Sequence, residues 1–221
     1  MKLIVSALIK FLCGILLLGL LVFLPAGSFD YVGGWVLSAL LFLPMLLLGI
    51  VLLIKSPDLL QKRLDHKEKE GTQRGVVALS GIMFIAGFAL AGLDFRFGLS
   101  EVPLWLRVSA CLIFLASYGL YAEVMRENAY LSRTVKVEKG QKVVCTGLYG
   151  IVRHPMYLAT VLMFLSIPLI LGSLWAVLVF LAYPIIIGVR IQNEEKLLTK
   201  ELEGYAEYKK KVRWRLLPFV W

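Results

Sequence analysis

Charge is scarce in this chain, and the scarcity is uneven. Asp, Glu, Lys and Arg make up 18% of its 221 residues, against roughly 25% in an average soluble domain. No charge at all falls between Pro155 and Val189, a run of 35 residues. Cysteine is scarcer still. Cys13, Cys111 and Cys145 form neither an even set for a disulfide framework nor a metal-ligand spacing, so free thiols are expected. There is no internal repeat and no low-complexity linker. Gly147 and Gly150 flank Tyr149, but no strand-turn-helix pattern surrounds them, which excludes a dinucleotide fingerprint. They read instead as backbone that passes close to something.

Apolar residues fill the space. They make up 59% of the chain, with a mean hydropathy of +0.80, more than a soluble domain of this size carries. A membrane span needs about 20 apolar residues. Leu3–Leu24, Val32–Ile54, Gly75–Leu93 and Pro103–Ala122 qualify. The uncharged run would be about 52 Å long as one straight helix, well beyond a bilayer. It is expected to fold back at Gly172-Ser173 into arms of 17 and 16 residues, Pro155–Leu171 and Leu174–Val189, with kinks at Pro168 and Pro184. The expected fold is therefore all-α, a polytopic membrane bundle of about six helices whose last two form a hairpin. Four spans occupy 1–122, and 123–221 forms the catalytic region. Lys10 and Arg107 interrupt two spans and are expected to snorkel to the interface.

Basic residues outnumber acidic ones, 24 to 15, for a net charge of +9. With the N-terminus in the cytoplasm, every Lys and Arg except Arg96 and Arg107 falls on the cytoplasmic side. That asymmetry places both termini inside. The charge then faces anionic headgroups. A nucleic-acid partner explains it less well, because the basic residues flank spans. The N-terminal apolar segment is too long for a signal peptide and reads as a retained span. The loop 61–74 mixes both signs and reads as solvated surface, His66 included. Beyond it, 134–138 and 142–144 alternate like short strands around Gly140. The tail from Arg190 to Trp221 has the spacing of a cytoplasmic amphipathic helix with a basic, aromatic end.

Two polar islands bracket the uncharged run. The first ends in Arg153-His154-Pro155-Met-Tyr157. Pro suits the first turn of a helix, so His154 is at an N-cap, and a helix start with Arg153 beside it either seats an anion or anchors the helix at the headgroups. The second is Arg190-Ile-Gln-Asn-Glu194-Glu195. Glu195 interrupts an apolar stripe with Ile191, Leu198, Leu202 and Tyr205, so it needs a partner. That partner is either a ligand or a structural cation, Arg153 or Arg190. Arg190 and Glu194 share a neighbouring face and can pair. A hairpin brings both islands to one membrane face.

Thr146-Gly-Leu-Tyr-Gly-Ile-Val-Arg153-His154-Pro155-Met-Tyr157, the hairpin, and Arg190-(x)3-Glu194-Glu195-(x)2-Leu198 together resemble the isoprenylcysteine carboxyl methyltransferase family of integral membrane enzymes. Asn128, Val135-Lys-Val, Gly140-Gln-Lys-Val-Val, Gly204-Tyr205, Tyr208 and Arg215-Leu-Leu-Pro218 extend the likeness over roughly 120–221. The resemblance implies an enzyme using S-adenosylmethionine on a lipophilic or prenylated acceptor. Gly147, Leu148, Tyr149, Val152, Arg153, His154, Pro155, Tyr157 and Glu195 would line the cofactor. Arg190 and Glu194 would be catalytic and face the acceptor, with Asn128 and Arg190 binding it. Leu148 stands where many relatives have Pro, and Ala159 where Gly is usual. The same motif type occurs in phospholipid N-methyltransferases and, more loosely, in NADPH-dependent sterol reductases, so the acceptor stays open. A non-enzymatic membrane protein with a structural Arg–His–Glu cluster is the remaining alternative.

Overall fold

The computed structural model describes residues 2–64, 71–132, 137–138 and 140–221. The described residues are helical with irregular connections. In chain order the helices are α1 (Lys2–Ala26), α2 (Val32–Lys55), α3 (Pro57–Leu64), α4 (Gly71–Phe97), α5 (Leu104–Glu127), α6 (Pro155–Leu171), α7 (Leu174–Phe180), α8 (Ala182–Glu201) and α9 (Tyr205–Lys211).

Among the described residues, five segments are long and apolar enough to cross a bilayer: Leu3–Ala26, Val32–Lys55, Gln73–Phe97, Leu104–Glu127 and Leu174–Glu201. With α6, shorter at 17 residues, they make the expected bundle. Side chains such as Leu16, Leu47 and Ile54 are more than 60% exposed, which only a lipid solvent rewards over so many turns. The core lies where α4 to α8 meet, around Phe114, Phe180 and Ile191. Helices α1 and α4 approach closely because Gly92 has no Cβ; one there would lie 2.7 Å from the Val22 carbonyl oxygen.

The hairpin turns at Gly172-Ser173, as its length requires. Gly172 caps α6 in the left-handed region (φ 79°), a conformation glycine adopts without strain. Ser173 caps α7 by accepting from the Ala176 amide and donates to the buried carboxylate of Asp94, which also accepts from Ser100. Tyr31 donates to the Leu171 carbonyl at 2.7 Å. The turn is thus tied to the start of α2 and to the last turns of α4 at this end of the bundle. The descending arm breaks at Leu181, three residues before Pro184. Pro184 has no N–H for the Phe180 carbonyl, and its ring crowds that turn.

Several expectations are revised. The loop after α2 is not only solvated surface: Pro57–Leu64 folds as α3, with Leu59 and Leu60 buried. His66 lies outside the described residues. So do 133–136 and 139 in the strand-like stretch, and the described remainder up to Val144 contains no strand. Lys10 donates to the Leu64 carbonyl at the end of α3, at 2.6 Å, a favourable place for a cation. Arg107 lies in the first turn of α5 and bonds the Val102 carbonyl. The tail is not one helix. Gly204, at φ 82°, separates α8 from α9, and beyond Val212 the chain is extended or turning.

Candidate active site

The site begins with a 3-10 turn at Gly147–Gly150. Gly147 has φ 50°, and a Cβ there would lie 1.4 Å from Glu127 Oε1. The Leu148 amide donates to Glu127 Oε2 at 3.1 Å. The turn therefore wraps a carboxylate from the end of α5, which is the close approach that the glycine signals. Asn128 donates from Nδ2 to Tyr149 Oη at 3.0 Å and accepts from the Tyr130 amide. Tyr208 donates to the Tyr149 carbonyl at 2.7 Å. Burial pushes the Tyr149 phenol well above the ordinary tyrosine range, so it stays protonated.

Next comes the start of α6. Pro155 holds its first position and His154 its cap. The Arg153 and His154 amides donate to the Trp214 and Arg215 carbonyls, each at 2.9 Å. Arg153 Nη1 also reaches the Val212 and Arg213 carbonyls at 2.7 and 2.8 Å. The tail thereby gains the backbone partners that a helix would otherwise supply.

Glu195 is the junction of these pieces. Its Oε1 accepts from Arg153 Nε at 2.6 Å and lies 3.2 Å from His154 Nε2, and its Oε2 accepts from Arg215 Nε at 2.9 Å. The residue is 3% exposed. Of the two structural partners open from sequence, Arg153 is the one bonded, and His154 and Arg215 join it.

Just before Glu195 on α8, Arg190 and Glu194, one helical turn apart, meet through a third residue. Tyr157 Oη accepts from Arg190 Nε at 2.9 Å and donates to Glu194 Oε2 at 2.5 Å. The Arg190 guanidinium lies 5.9 Å from the Tyr157 ring centre, and the His154 ring stacks on the Tyr157 ring with centres 5.7 Å apart. Gln73 of α4 donates to the Arg190 carbonyl at 3.3 Å.

These groups line one cleft at the polar end of the bundle. Asn128, Tyr149, Arg153, His154, Tyr157, Arg190 and Glu194 face it, together with Met156, Leu198, Leu202, Tyr205, Tyr208 and the loop 130–132 and 141–144. Gly147, Leu148, Val152, Pro155 and Glu195 are not part of its lining. Tyr205 is 4% exposed, and its hydroxyl is buried on a wall of the cleft without a hydrogen-bond partner among the described residues. An unpaired buried hydroxyl costs free energy unless something bonds it.

Sequence reasoning missed one contributor. Arg63 of α3 reaches Tyr121 Oη, the Ser132 carbonyl and Met156 Sδ, and Lys62 pairs with Glu138 at 2.6 Å. Ser132 and Met156 both line the cleft, so the first half of the chain braces it. Ser56-Pro57-Asp58, with Pro at the first helical position and an acid in the first turn, was the available signal.

Residues 105–204 match a family described as phospholipid methyltransferase, which includes isoprenylcysteine carboxyl methyltransferases. The match runs from the first turn of α5 to the break after α8 and takes in every cleft residue named above except Tyr205 and Tyr208. It fits the resemblance read from the motifs. The chain is also similar to a Delta(14)-sterol reductase of Arabidopsis thaliana, 30% identical over 122 residues. That alignment covers 50% of this chain, and the chain spans about a third (33%) of that protein's length.

Proposed function

We propose, from the premise that residues 105–204 form a domain of the phospholipid methyltransferase family, that this protein is a membrane methyltransferase using S-adenosylmethionine. Its nearest acceptor is the carboxylate of an isoprenylcysteine-like lipophile. The observation that carries the reading is the Arg190–Tyr157–Glu194 chain, fixed on the wall of a cleft where the apolar hairpin meets polar loops.

The cleft suits such a cofactor. The Tyr205 hydroxyl, unpartnered among the described residues, and the Asn128–Tyr149 pair offer neutral donors and acceptors for a nucleoside, and Tyr157 and His154 offer ring surface. When bound, the cofactor supplies a methyl group on a sulfonium, and transfer to a carboxylate makes one C–O bond, breaks one C–S bond and cancels one charge of each sign.

The protein's part is then positioning. A carboxylate acceptor is already ionised at neutral pH, so no base is required. Arg190 orients it by charge-assisted hydrogen bonds. Tyr157 fixes the guanidinium through Nε, and Glu194 holds the Tyr157 hydroxyl. Glu195 acts behind the wall: by binding Arg153, His154 and Arg215 it holds the tail, and so Tyr205 and Tyr208, against the hairpin. The charge asymmetry of the sequence supports a cytoplasmic placement of the cleft and of both termini.

The sterol reductase likeness favours a second reading, a membrane reductase using NADPH. A comparison of the two cofactors separates them. Calorimetric binding of S-adenosylmethionine without NADPH supports the methyltransferase, and the reverse overturns it.

A further inference from the structure

Helix α8 presents two chemistries. Arg190, Glu194 and Leu198 face the cleft. Gln192, Lys196 and Lys200 come two residues later in each turn, about half a turn around at roughly 100° per residue. With Lys209 of α9 and Arg215 of the tail they line a second, open hollow. Among the described residues, neither Lys196 nor Lys200 forms an ion pair. The carboxylate at the back of the hollow, Glu195, has both oxygens engaged by Arg153, His154 and Arg215. Glu195 thus offsets Arg215, and Lys209 donates to Thr199 Oγ1 at 3.3 Å. Lys196, Lys200 and Lys209 therefore leave the hollow positive, with no ion pair on them among the described residues.

Its depth identifies the ligand. Gln192, Lys196 and Lys200 lie three, seven and eleven residues beyond Val189, the last of the uncharged run, or about 4.5, 10 and 16 Å along the helix at about 1.5 Å per residue. The headgroup layer on each side of a bilayer is roughly 5–8 Å thick, so Gln192 lies within it, and Lys196 and Lys200 reach down to it from the water side on their flexible stems. Towards the membrane the same helical stripe continues as Val189 and Ile185, in steps of three and four residues. Both are exposed, Ile185 at 72%. The tail follows the same division. Trp221 packs beside Gly188, while Phe219 and Val220 are 86% and 74% exposed. Apolar side chains lie below and cations above, as a phospholipid requires.

We propose that this hollow binds the phosphate of an anionic membrane phospholipid, with Lys196, Lys200 and Lys209 on the phosphate and an acyl chain along Ile185 and Val189. The apolar stripe is what assigns it to lipid over free phosphate. The site is separate from the cleft and does not depend on the reaction performed there.

The full-length chain in phosphatidylcholine bilayers, titrated with spin-labelled phosphatidylglycerol, tests this. The wild type is expected to hold phosphatidylglycerol in preference to phosphatidylcholine. Affinity should fall about five-fold per lysine in K196Q, K200Q and K209Q, and on the order of 100-fold in the triple variant. These lysines sit at an open surface, and the triple variant's unchanged thermal unfolding would show that it folds. Equal binding by the triple variant, or no preference in the wild type, overturns the proposal. So does release of the labelled lipid by inorganic phosphate at constant ionic strength, which would make the hollow a free-anion site.

Discussion

Glu195→Gln separates an internal tie from a ligand contact. The substitution keeps the shape and removes the charge that Arg153, His154 and Arg215 share. The Arg153 and Glu195 side chains are 6% and 4% exposed, so Arg153 becomes a buried cation without its carboxylate. Breaking such a pair typically costs about 3–5 kcal/mol. Arg153 keeps the Val212 and Arg213 carbonyls, so the lower end, about 3 kcal/mol, applies. At roughly 2–4 °C per kcal/mol for a chain of this size, Tm should drop by about 6–12 °C. Arg215 is 34% exposed on its side chain and its pair is water-screened, so Arg215→Ala should lose at most about 1 kcal/mol. Differential scanning fluorimetry in detergent, with and without S-adenosylmethionine, reads both. A Glu195→Gln variant that melts with the wild type but no longer binds the cofactor would refute the reasoning and make Glu195 a ligand contact.

Arg190→Lys keeps the charge and loses the planar fork, so kcat/KM for methyl transfer should fall about 10- to 100-fold with little change in Tm; an unchanged rate removes Arg190 from the site. Tyr157→Phe cuts the link between Arg190 and Glu194 and should lower kcat more than it raises KM, checked by steady-state kinetics. Gly147→Ala puts a Cβ onto Glu127 at a positive φ and should destabilise by at least about 1 kcal/mol. Glu127→Ala in the same chain should recover part of that loss, and strictly additive unfolding energies would contradict the contact. Burial raises the Tyr149, Tyr205 and Tyr208 phenols above their ordinary value. The folded state keeps protons that the unfolded chain releases near pH 10, so stability should fall as pH rises past about 10. A Tm that is flat across that range in the wild type would speak against three buried phenols.

The spans were legible because lipid imposes a simple rule: about 20 apolar residues, no charge, and satisfied backbone. The hairpin followed from length alone, since 35 uncharged residues cannot cross once as a straight helix. Bringing His154 and Arg190 to one end followed in turn. Partner choice was harder. Glu195 had two candidate cations nearby in sequence or across the hairpin, whereas Arg215 comes 20 residues later and arrives only because Gly204 turns the tail back. Likewise α3 is too short and too charged for a periodic signal, and its role depends on Arg63 reaching Tyr121 and Met156, which no local pattern encodes. Tyr205 belongs to the apparent α8 stripe in sequence. It reaches the cleft from a different helix.

The central claim is that the cleft transfers a methyl group and that Arg190 holds the acceptor. Incubating the purified chain with methyl-labelled S-adenosylmethionine and a panel of prenylcysteine acids and lipid amines tests it most directly. The expected result is label in the prenylcysteine ester, reduced at least about ten-fold by Arg190→Ala. Label in no member of the panel, or equal transfer by the Arg190→Ala variant, would contradict it.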